Sequence, residues 1–140
     1  MARSGYVILG HPADLGIEAR GATLRDAFHN AAVALMSVIL DLTTVTPRQS
    51  RAITIVASDI EQLLVKWLTE ILYLYDGQDF VSKDFTINQL TTTRLIATAR
   101  GEKFDAHAHR TKLEVKGVTY HQLVIREDND GGMVRVYLDI

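Results

Sequence analysis

The sequence predicts an α+β domain in which two amphipathic helices cover a mainly antiparallel sheet. Two stretches carry apolar residues at spacings of three and four, which is typical of helices with one buried face. Most other segments are short runs of apolar and β-branched residues separated by turns that contain Gly, Asn or Asp. Because strands and helices do not alternate regularly, we do not expect a parallel βαβ arrangement.

The composition indicates one globular domain over residues 1–140. The chain is 47% apolar and 23% charged and has no cysteine, and a chain of this length buries about 70% of its unfolded surface. The lack of cysteine excludes disulfides, thiolate metal sites and cysteine nucleophiles. With 15 basic and 17 acidic residues, the chain has no general attraction to nucleic acid. No segment resembles a signal peptide or a membrane span, so a cytoplasmic location is expected.

The first half of the chain predicts three strands and a helix. Residues 6–9 are apolar, residues 16–20 alternate, and residues 51–57 are rich in β-branched side chains. Thr23 is the expected N-cap of the helix. Seven apolar residues follow at helical spacing: Leu24, Ala27, Phe28, Ala31, Leu35, Met36 and Ile39.

A second helix is predicted to begin at Ser58, because Ser58 and Glu61 fit a capping box. Asp76 and Gly77 are expected to end it. The apolar positions between these ends form one stripe, and Trp67 and Tyr75 are expected to be core residues rather than a platform for nucleic-acid bases: Leu64, Trp67, Leu68, Ile71, Leu72 and Tyr75.

The remainder predicts five strands, at residues 85–90, 95–100, 111–116, 118–126 and 133–140. In the last strand, Val134, Val136 and Leu138 share one face, so Asp139 lies on the opposite face. The Asp-Asn-Asp-Gly run at residues 128–131 resembles the start of a calcium-binding EF-hand loop. It lacks the closing glutamate and lies between strands, so we predict a hairpin turn there instead.

Familiar catalytic and nucleotide-binding motifs are missing, which argues against an enzyme without excluding one. His107 and His109 would lie on one face of a strand, as a metal-binding pair must, although most such pairs are solvated surface residues. Asp139 is adjacent to the terminal carboxylate of Ile140. These two groups either face water, which composition alone favours, or are neutralised by a cation, and a third carboxylate such as Asp14 would favour the cation.

The sequence resembles the archease family from Gly10 to Ile140. The matching residues are His11 to Ile17; Leu63, Leu64, Trp67, Leu68, Glu70 and Leu72; Gly101, Glu102 and Asp105; Lys116 to His121; and Asp139 with Ile140. The resemblance implies a strand-helix-strand-strand module. It also implies an accessory protein, not itself a ligase, that helps an RtcB-type RNA ligase in tRNA splicing and RNA repair to form its guanylylated histidine, to turn over repeatedly and to accept other nucleotides.

The resemblance also implies a divalent metal, with Asp14, Asp139 and the terminal carboxylate of Ile140 as ligands. Ca²⁺ is expected, and Mg²⁺ and Mn²⁺ remain alternatives. Direct RNA binding is left open, and membrane association is not expected. Gly10 and Pro12 depart from the acidic residue and the threonine usual in the family. The loss of a carboxylate at position 10 is expected to weaken metal affinity, whereas Gly117 in place of a more usual alanine is expected to be harmless.

Two histidines and the overall function keep alternative interpretations. His11 either orients Asp14 or caps a turn, and His121 is expected to pack within its strand. The alternative function is a stand-alone metal-dependent hydrolase or nucleotide-binding enzyme that uses the same carboxylates to activate water. A chaperone-like binding module is a third alternative.

Overall fold

The computed structural model describes residues 4–10 and 14–140, and these residues form seven strands and two α-helices. In chain order they are β1 (Gly5–Gly10), β2 (Asp14–Gly21), α1 (Leu24–Ile39), β3 (Gln49–Val56), α2 (Ile60–Gln78), β4 (Phe80–Leu90), β5 (Arg94–Lys103), β6 (Gly117–Asp128) and β7 (Gly131–Asp139). A 3₁₀ turn, Leu42–Thr44, follows α1. The predicted α+β class is confirmed.

The strands divide between two antiparallel sheets. One sheet has the order β1-β2-β7-β6 and the other has the order β3-β5-β4. Each helix contacts strands of both sheets. The helices therefore form the layer that joins the sheets, and this explains why α1 is buried around most of its circumference.

Trp67 lies at the centre of the core, as predicted. Its side chain is fully buried, its Nε1 donates to the carbonyl oxygen of Phe28 over 3.1 Å, and its ring meets Phe85 edge to face. This hydrogen bond satisfies the indole N–H and fixes α2 against α1. Tyr75 is only half-buried, at the margin of the core, where its ring packs edge to face on Phe104.

The predicted N-cap of α1 is confirmed and that of α2 is one residue early. Thr23 Oγ1 accepts from the backbone N–H of Asp26 over 3.2 Å. In α2 the N-cap is Asp59, whose carboxylate accepts from the N–H of Gln62 over 2.8 Å, while Gln62 Oε1 accepts from the N–H of Ser58. A carboxylate is as good a cap as a hydroxyl, so the reciprocal bonds form one residue later than Ser58 and Glu61 predict.

The end of α2 is also later than predicted. The helix continues through Asp76 and Gly77 to Gln78, and Asp79 caps it in the left-handed conformation with φ 54°. Aspartate tolerates this conformation better than most residues, so Asp79 performs the role expected of glycine.

The predicted strand at residues 111–116 is wrong. Thr111 forms only an isolated bridge with Leu40, and the N–H groups of Lys112 and Leu113 donate to the carbonyl oxygens of Ile39 and Val38. These are carbonyls at the C-terminal end of α1, which have no partner within the helix. The segment is extended because it caps a helix, and no strand ladder forms beside it.

The predicted hairpin at residues 128–131 is confirmed. Asp128 pairs with Gly131, and Asp128 Oδ1 accepts from the N–H of Asp130 over 2.8 Å. Gly131 has φ 119°, a conformation that favours glycine. In the part of the chain that the structure describes, no helix is long and apolar enough to cross a membrane.

Candidate metal centre

Asp14 and Asp139 lie directly opposite each other on neighbouring strands. Asp14 is the first residue of β2 and Asp139 is the last residue of β7, and the antiparallel register pairs their Cα atoms. Side chains of directly paired residues share a face of the sheet, with Cβ atoms about 4.5–5.5 Å apart. The register therefore brings together two residues that are 125 positions apart in the sequence (139 minus 14).

The pair lies on the face of the sheet that points away from the helices. Ile17 on β2 and Val136 and Leu138 on β7 are fully buried on the inner face. Alternation along each strand then directs Asp14 and Asp139 to the outer face, where Asp139 is exposed and Asp14 is half-buried. The sequence-based assignment of Asp139 to the outer face is confirmed.

The chain beside Asp139 is held on both sides. The carbonyl oxygen of Asp139 accepts from the N–H of Lys116 over 2.7 Å. Asp139 also pairs with Gly117 on β6 and with Asp14 on β2. The side chain of Ile140 is half-buried and packs against the core. These contacts fix the backbone of residues 139 and 140 at the end of β7.

Tyr137 supports the pair one step along the same face. It is buried, and a Cβ on Gly16 would lie 2.8 Å from its Cε1, so the ring passes directly over Gly16. Thr119 Oγ1 donates to the carbonyl oxygen of Tyr137 over 3.0 Å, and the His121 ring meets the Tyr137 ring at 6.2 Å. His121 lies in β6 and packs on the Tyr137 ring, as expected, but its side chain is exposed next to the irregular pairing of β6 with β7.

Glu18, further along β2, is a carboxylate that forms salt bridges with two arginines. Glu18 Oε1 accepts from Arg135 Nη2 over 2.6 Å, and Glu18 Oε2 pairs with Arg20 at 3.2 Å. The hydrogen bond from Arg135 is the main reason that the pKa of Glu18 is lowered. Within residues 4–10 and 14–140, no basic side chain forms such a salt bridge with Asp14 or Asp139.

The donor set suits a hard divalent cation. Two facing carboxylates without a basic partner repel each other, and an oxygen-preferring ion such as Ca²⁺ or Mg²⁺ relieves that repulsion. No cluster of three His, Cys, Asp or Glu side chains that could hold a metal is found among the described residues. The described side chains thus bring two carboxylates together here, those of Asp14 and Asp139. His11 and Pro12 lie outside the described residues.

His107 and His109 do not share a strand face, so the structure does not support the metal-binding pair that the sequence analysis considered and disfavoured. The two residues lie in the loop between β5 and β6, where His107 is exposed and His109 is buried. His109 Nδ1 accepts from the N–H of Asp105 over 2.9 Å, so its proton is on Nε2, which contacts Glu102 Oε2 at 2.8 Å. Both ring nitrogens are occupied, and neither is available to a metal.

Glu102 is the centre of a network that sequence reasoning missed. Its carboxylate accepts from the N–H of Thr46 and from His109, and it pairs with Arg48 at 3.0 Å. These donors, the Thr46 N–H first, lower the pKa of Glu102. The network ties the loop after β5 to the segment before β3. The match of Glu102 to the family pattern was a signal, but its partners are too distant in sequence to be inferred from periodicity.

Comparison with known proteins finds matches to a single family over nearly the whole chain. The model of the Archease protein family (MTH1598/TM1083) matches residues 6–140. A protein archease of Methanosarcina barkeri is 36% identical over 139 residues, covering 96% of this chain and 95% of the relative. A protein archease of Pyrobaculum neutrophilum is 39% identical over 134 residues, covering 93% and 91%.

Solved structures agree with these matches. The solution structure of Methanobacterium thermoautotrophicum protein 1598 superposes with a TM-score of 0.81 at 32% identity, covering 97% of this chain and 99% of that one. The crystal structure of a Thermotoga maritima archease has a TM-score of 0.67 at 17% identity, covering 94% of both chains, and supports the fold alone. The extent of these matches along the whole sequence shows that the chain belongs to the archease family.

Proposed function

We propose that this chain is an accessory protein that activates an RtcB-type RNA ligase in tRNA splicing and RNA repair. It promotes guanylylation of the ligase and multiple turnover through direct contact and a divalent metal. The facing of Asp14 and Asp139, in a chain of the archease family, is the observation that carries this proposal.

Asp14, Asp139 and the terminal carboxylate of Ile140 are the proposed ligands. Carboxylate oxygens are the donors that Ca²⁺ prefers, with water completing its six to eight ligands, and Mg²⁺ and Mn²⁺ use similar donors. When bound, such a cation supplies positive charge for the phosphate oxygens of a nucleotide. The two strands hold the backbone of both aspartates in place, and the buried Tyr137 ring covers the adjacent position over Gly16.

The position of the donors favours action on a partner. Asp139 is exposed at the end of β7, on the face of the sheet that points away from α1 and α2. Carboxylates at such an end are accessible to the active site of a second protein, where they can present or receive a metal. This arrangement supports an activator that acts through contact with a partner.

Multiple-turnover RNA ligation by a cognate RtcB-type ligase, limiting in amount, tests the proposal. We expect the wild-type chain to raise the number of ligations per ligase, and Asp14→Asn and Asp139→Asn to lose most of that effect. A short extension after Ile140 should act like these variants, because it moves the terminal carboxylate away. Asp130→Asn, in the hairpin turn that precedes β7, is the matched control and should remain active. Full activation by both candidate-site variants would contradict the proposal.

A stand-alone hydrolase is the alternative that uses the same carboxylates. It predicts turnover of RNA or nucleotide in the presence of metal without any ligase. Incubation of the chain with each substrate alone separates the two functions. Turnover that Asp139→Asn abolishes would replace the activator proposal.

A chaperone-like role is a second candidate because the Thermotoga maritima archease is described as a possible chaperone. Such a role predicts that the chain protects unrelated proteins from heat aggregation independently of Asp14 and Asp139. Light scattering of a heated client protein, with the wild-type chain and with Asp139→Asn, measures this directly. Equal protection by both, without any effect on a ligase, would favour the chaperone.

A further inference from the structure

The two sheets of the molecule carry opposite charge. The strands of the sheet β3-β5-β4 contain five basic and two acidic residues, a net charge of +3 (five minus two). The strands of the other sheet contain three basic and five acidic residues, a net charge of −2 (three minus five). Basic character is therefore local to one sheet, where it can attract an anionic partner. The basic residues of that sheet are Arg51, Lys83, Arg94, Arg100 and Lys103.

Two of these arginines lie on the face of the sheet that points away from the helices. On the central strand β5, the side chains of Leu95, Ala97 and Ala99 are buried on the inner face. Alternation along the strand then directs Arg94 and Arg100 to the outer face, where both are exposed. Neither guanidinium forms a salt bridge with any residue in the ranges 4–10 and 14–140. Their N–H donors face solvent and are available to an anion.

The two acidic residues of this sheet leave both guanidinium groups available. Glu102 is already paired with Arg48, at 3.0 Å, and accepts a hydrogen bond from His109. Asp84 lies directly opposite Arg100 in the register and is exposed, but it forms no salt bridge with Arg100. Asp84 is thus a nearby negative charge that weakens the attraction of Arg100 for an anion without occupying its donors.

The spacing of the two arginines favours a long anion. Arg94 and Arg100 are six residues apart on one strand (100 minus 94), which separates their Cα atoms by about 20 Å at roughly 3.4 Å per residue. One phosphate group would engage one of these side chains, whereas an elongated polyanion engages both. A nucleic-acid strand carries a phosphate at every nucleotide and supplies charge along the whole of this distance.

Hydroxyl groups line the surface between the two arginines. Thr98 on β5 lies opposite Thr86 on β4, and Thr54 on β3 lies opposite the next outward residue of β5. Thr54 and Thr86 are exposed, and Thr98 is half-buried. Threonine hydroxyls bind phosphate oxygens, and they also bind the 2′-hydroxyl groups that distinguish RNA from DNA. The outer positions of these three strands, all of them described by the structure, hold no aromatic side chain on which a base could stack.

We propose that the outer face of β3-β5-β4 binds the sugar-phosphate backbone of single-stranded RNA without reading its base sequence. Arg94 and Arg100 contact phosphates, and the threonines between them contact 2′-hydroxyl groups. Asp14 and Asp139 lie on the other sheet, so this surface is separate from the candidate metal centre. Its binding of RNA requires neither a metal nor a ligase.

Fluorescence anisotropy of a labelled oligouridylate of about 20 nucleotides, with the full chain and a chelator present, tests the proposal. We expect the Kd to rise roughly tenfold between about 50 and 200 mM salt, as two or three phosphate contacts imply. Arg94→Gln and Arg100→Gln should each raise the Kd by roughly threefold or more. Each should also reduce the slope of log affinity against log salt by about 0.7. Asp84→Asn should lower the Kd, because it removes the negative charge opposite Arg100.

Controls separate this surface from a general effect of charge. Arg126→Gln changes an exposed arginine of β6, on the other sheet, and should bind RNA as the wild type does. A DNA strand of the same length should bind more weakly, because it lacks 2′-hydroxyl groups. Circular dichroism checks that every variant is folded. Three results would each overturn the proposal: a wild-type chain that does not bind RNA at low salt, unchanged binding by both arginine variants, or DNA or polyglutamate that competes as well as RNA.

Discussion

At the scale of single residues, the two loop histidines show what a short spacing in the sequence leaves undetermined. His107 and His109 are two apart, which suggested a shared strand face. In the structure, the two ring nitrogens of His109 are hydrogen-bonded to the backbone N–H of Asp105 and to the carboxylate of Glu102. His107 faces solvent. The difference depends on Glu102 and Thr46, which the fold brings beside the loop, so periodicity could not reveal it.

This contrast predicts different costs for the two histidines. His109→Ala removes a buried ring and leaves the N–H of Asp105 and part of the Glu102 carboxylate without a partner. We expect a loss of about 1–3 kcal/mol in the free energy of unfolding. His107→Ala is the matched control and should change it by less than about 0.5 kcal/mol. Urea denaturation measures both, and equal effects would contradict the assigned role of His109.

Glu18 predicts a specific dependence of stability on pH. Its pKa is lowered in the folded chain from the ordinary value of 4.5, so the ionised form stabilises the fold. That contribution is present above pH 4.5 and is lost as the pH falls through the lowered value. The melting temperature of Glu18→Gln should therefore fall less on acidification than that of the wild type. Glu70 has no salt bridge in the described part of the chain, so Glu70→Gln is the control. Its melting temperature should fall on acidification as much as that of the wild type.

At the scale of elements, apolar periodicity predicted both helices and most strands but not their ends. Spacing of three and four reports which face of a helix is buried, and that face is the same whether the helix begins at Ser58 or Asp59. The end is decided by local hydrogen bonds among Ser58, Asp59 and Gln62. Residues 111–116 resemble a strand in sequence for a similar reason. Their backbone is extended because it donates hydrogen bonds to the last carbonyl oxygens of α1. Composition cannot distinguish such a segment from a strand in a sheet.

The observed cap of α2 makes a direct prediction about these residues. Asp59→Ala should destabilise the chain by about 1 kcal/mol, because the N–H of Gln62 loses its acceptor. Glu61→Ala, which alters the position predicted by the capping-box pattern, should cost less. Thermal denaturation of the two variants provides the comparison. A larger loss for Glu61→Ala would contradict the assignment of Asp59 as the cap.

Two glycines at sheet positions should respond differently to alanine. A Cβ on Gly101 would lie 1.7 Å from the carbonyl oxygen of Val81, whereas a Cβ on Gly117 would meet no atom within 4 Å. Gly101→Ala must displace the backbone of β4, at a cost of about 1–3 kcal/mol or more. Gly117→Ala should be close to neutral, because the added methyl group finds open space. Chemical denaturation of both variants checks the prediction.

At the scale of the whole molecule, the candidate metal centre depends on a register that no local pattern contains. Alternation placed Asp139 on the outer face, and resemblance to the archease family linked it with Asp14. The direct pairing of the two residues comes from the order β1-β2-β7-β6, in which the first and last parts of the chain become neighbours. Such long-range pairing reflects how both strands pack on α1, which the sequence of either strand does not reveal.

Isothermal titration of the chain with Ca²⁺ tests most directly whether this register creates a metal site. We predict one bound ion per chain, and a loss of affinity of roughly tenfold or more for Asp14→Asn and for Asp139→Asn, because each removes a charged ligand. Asp130→Asn should bind as the wild type does. The absence of binding to the wild-type chain by Ca²⁺, Mg²⁺ and Mn²⁺, or unchanged affinity in both candidate-site variants, would contradict the account.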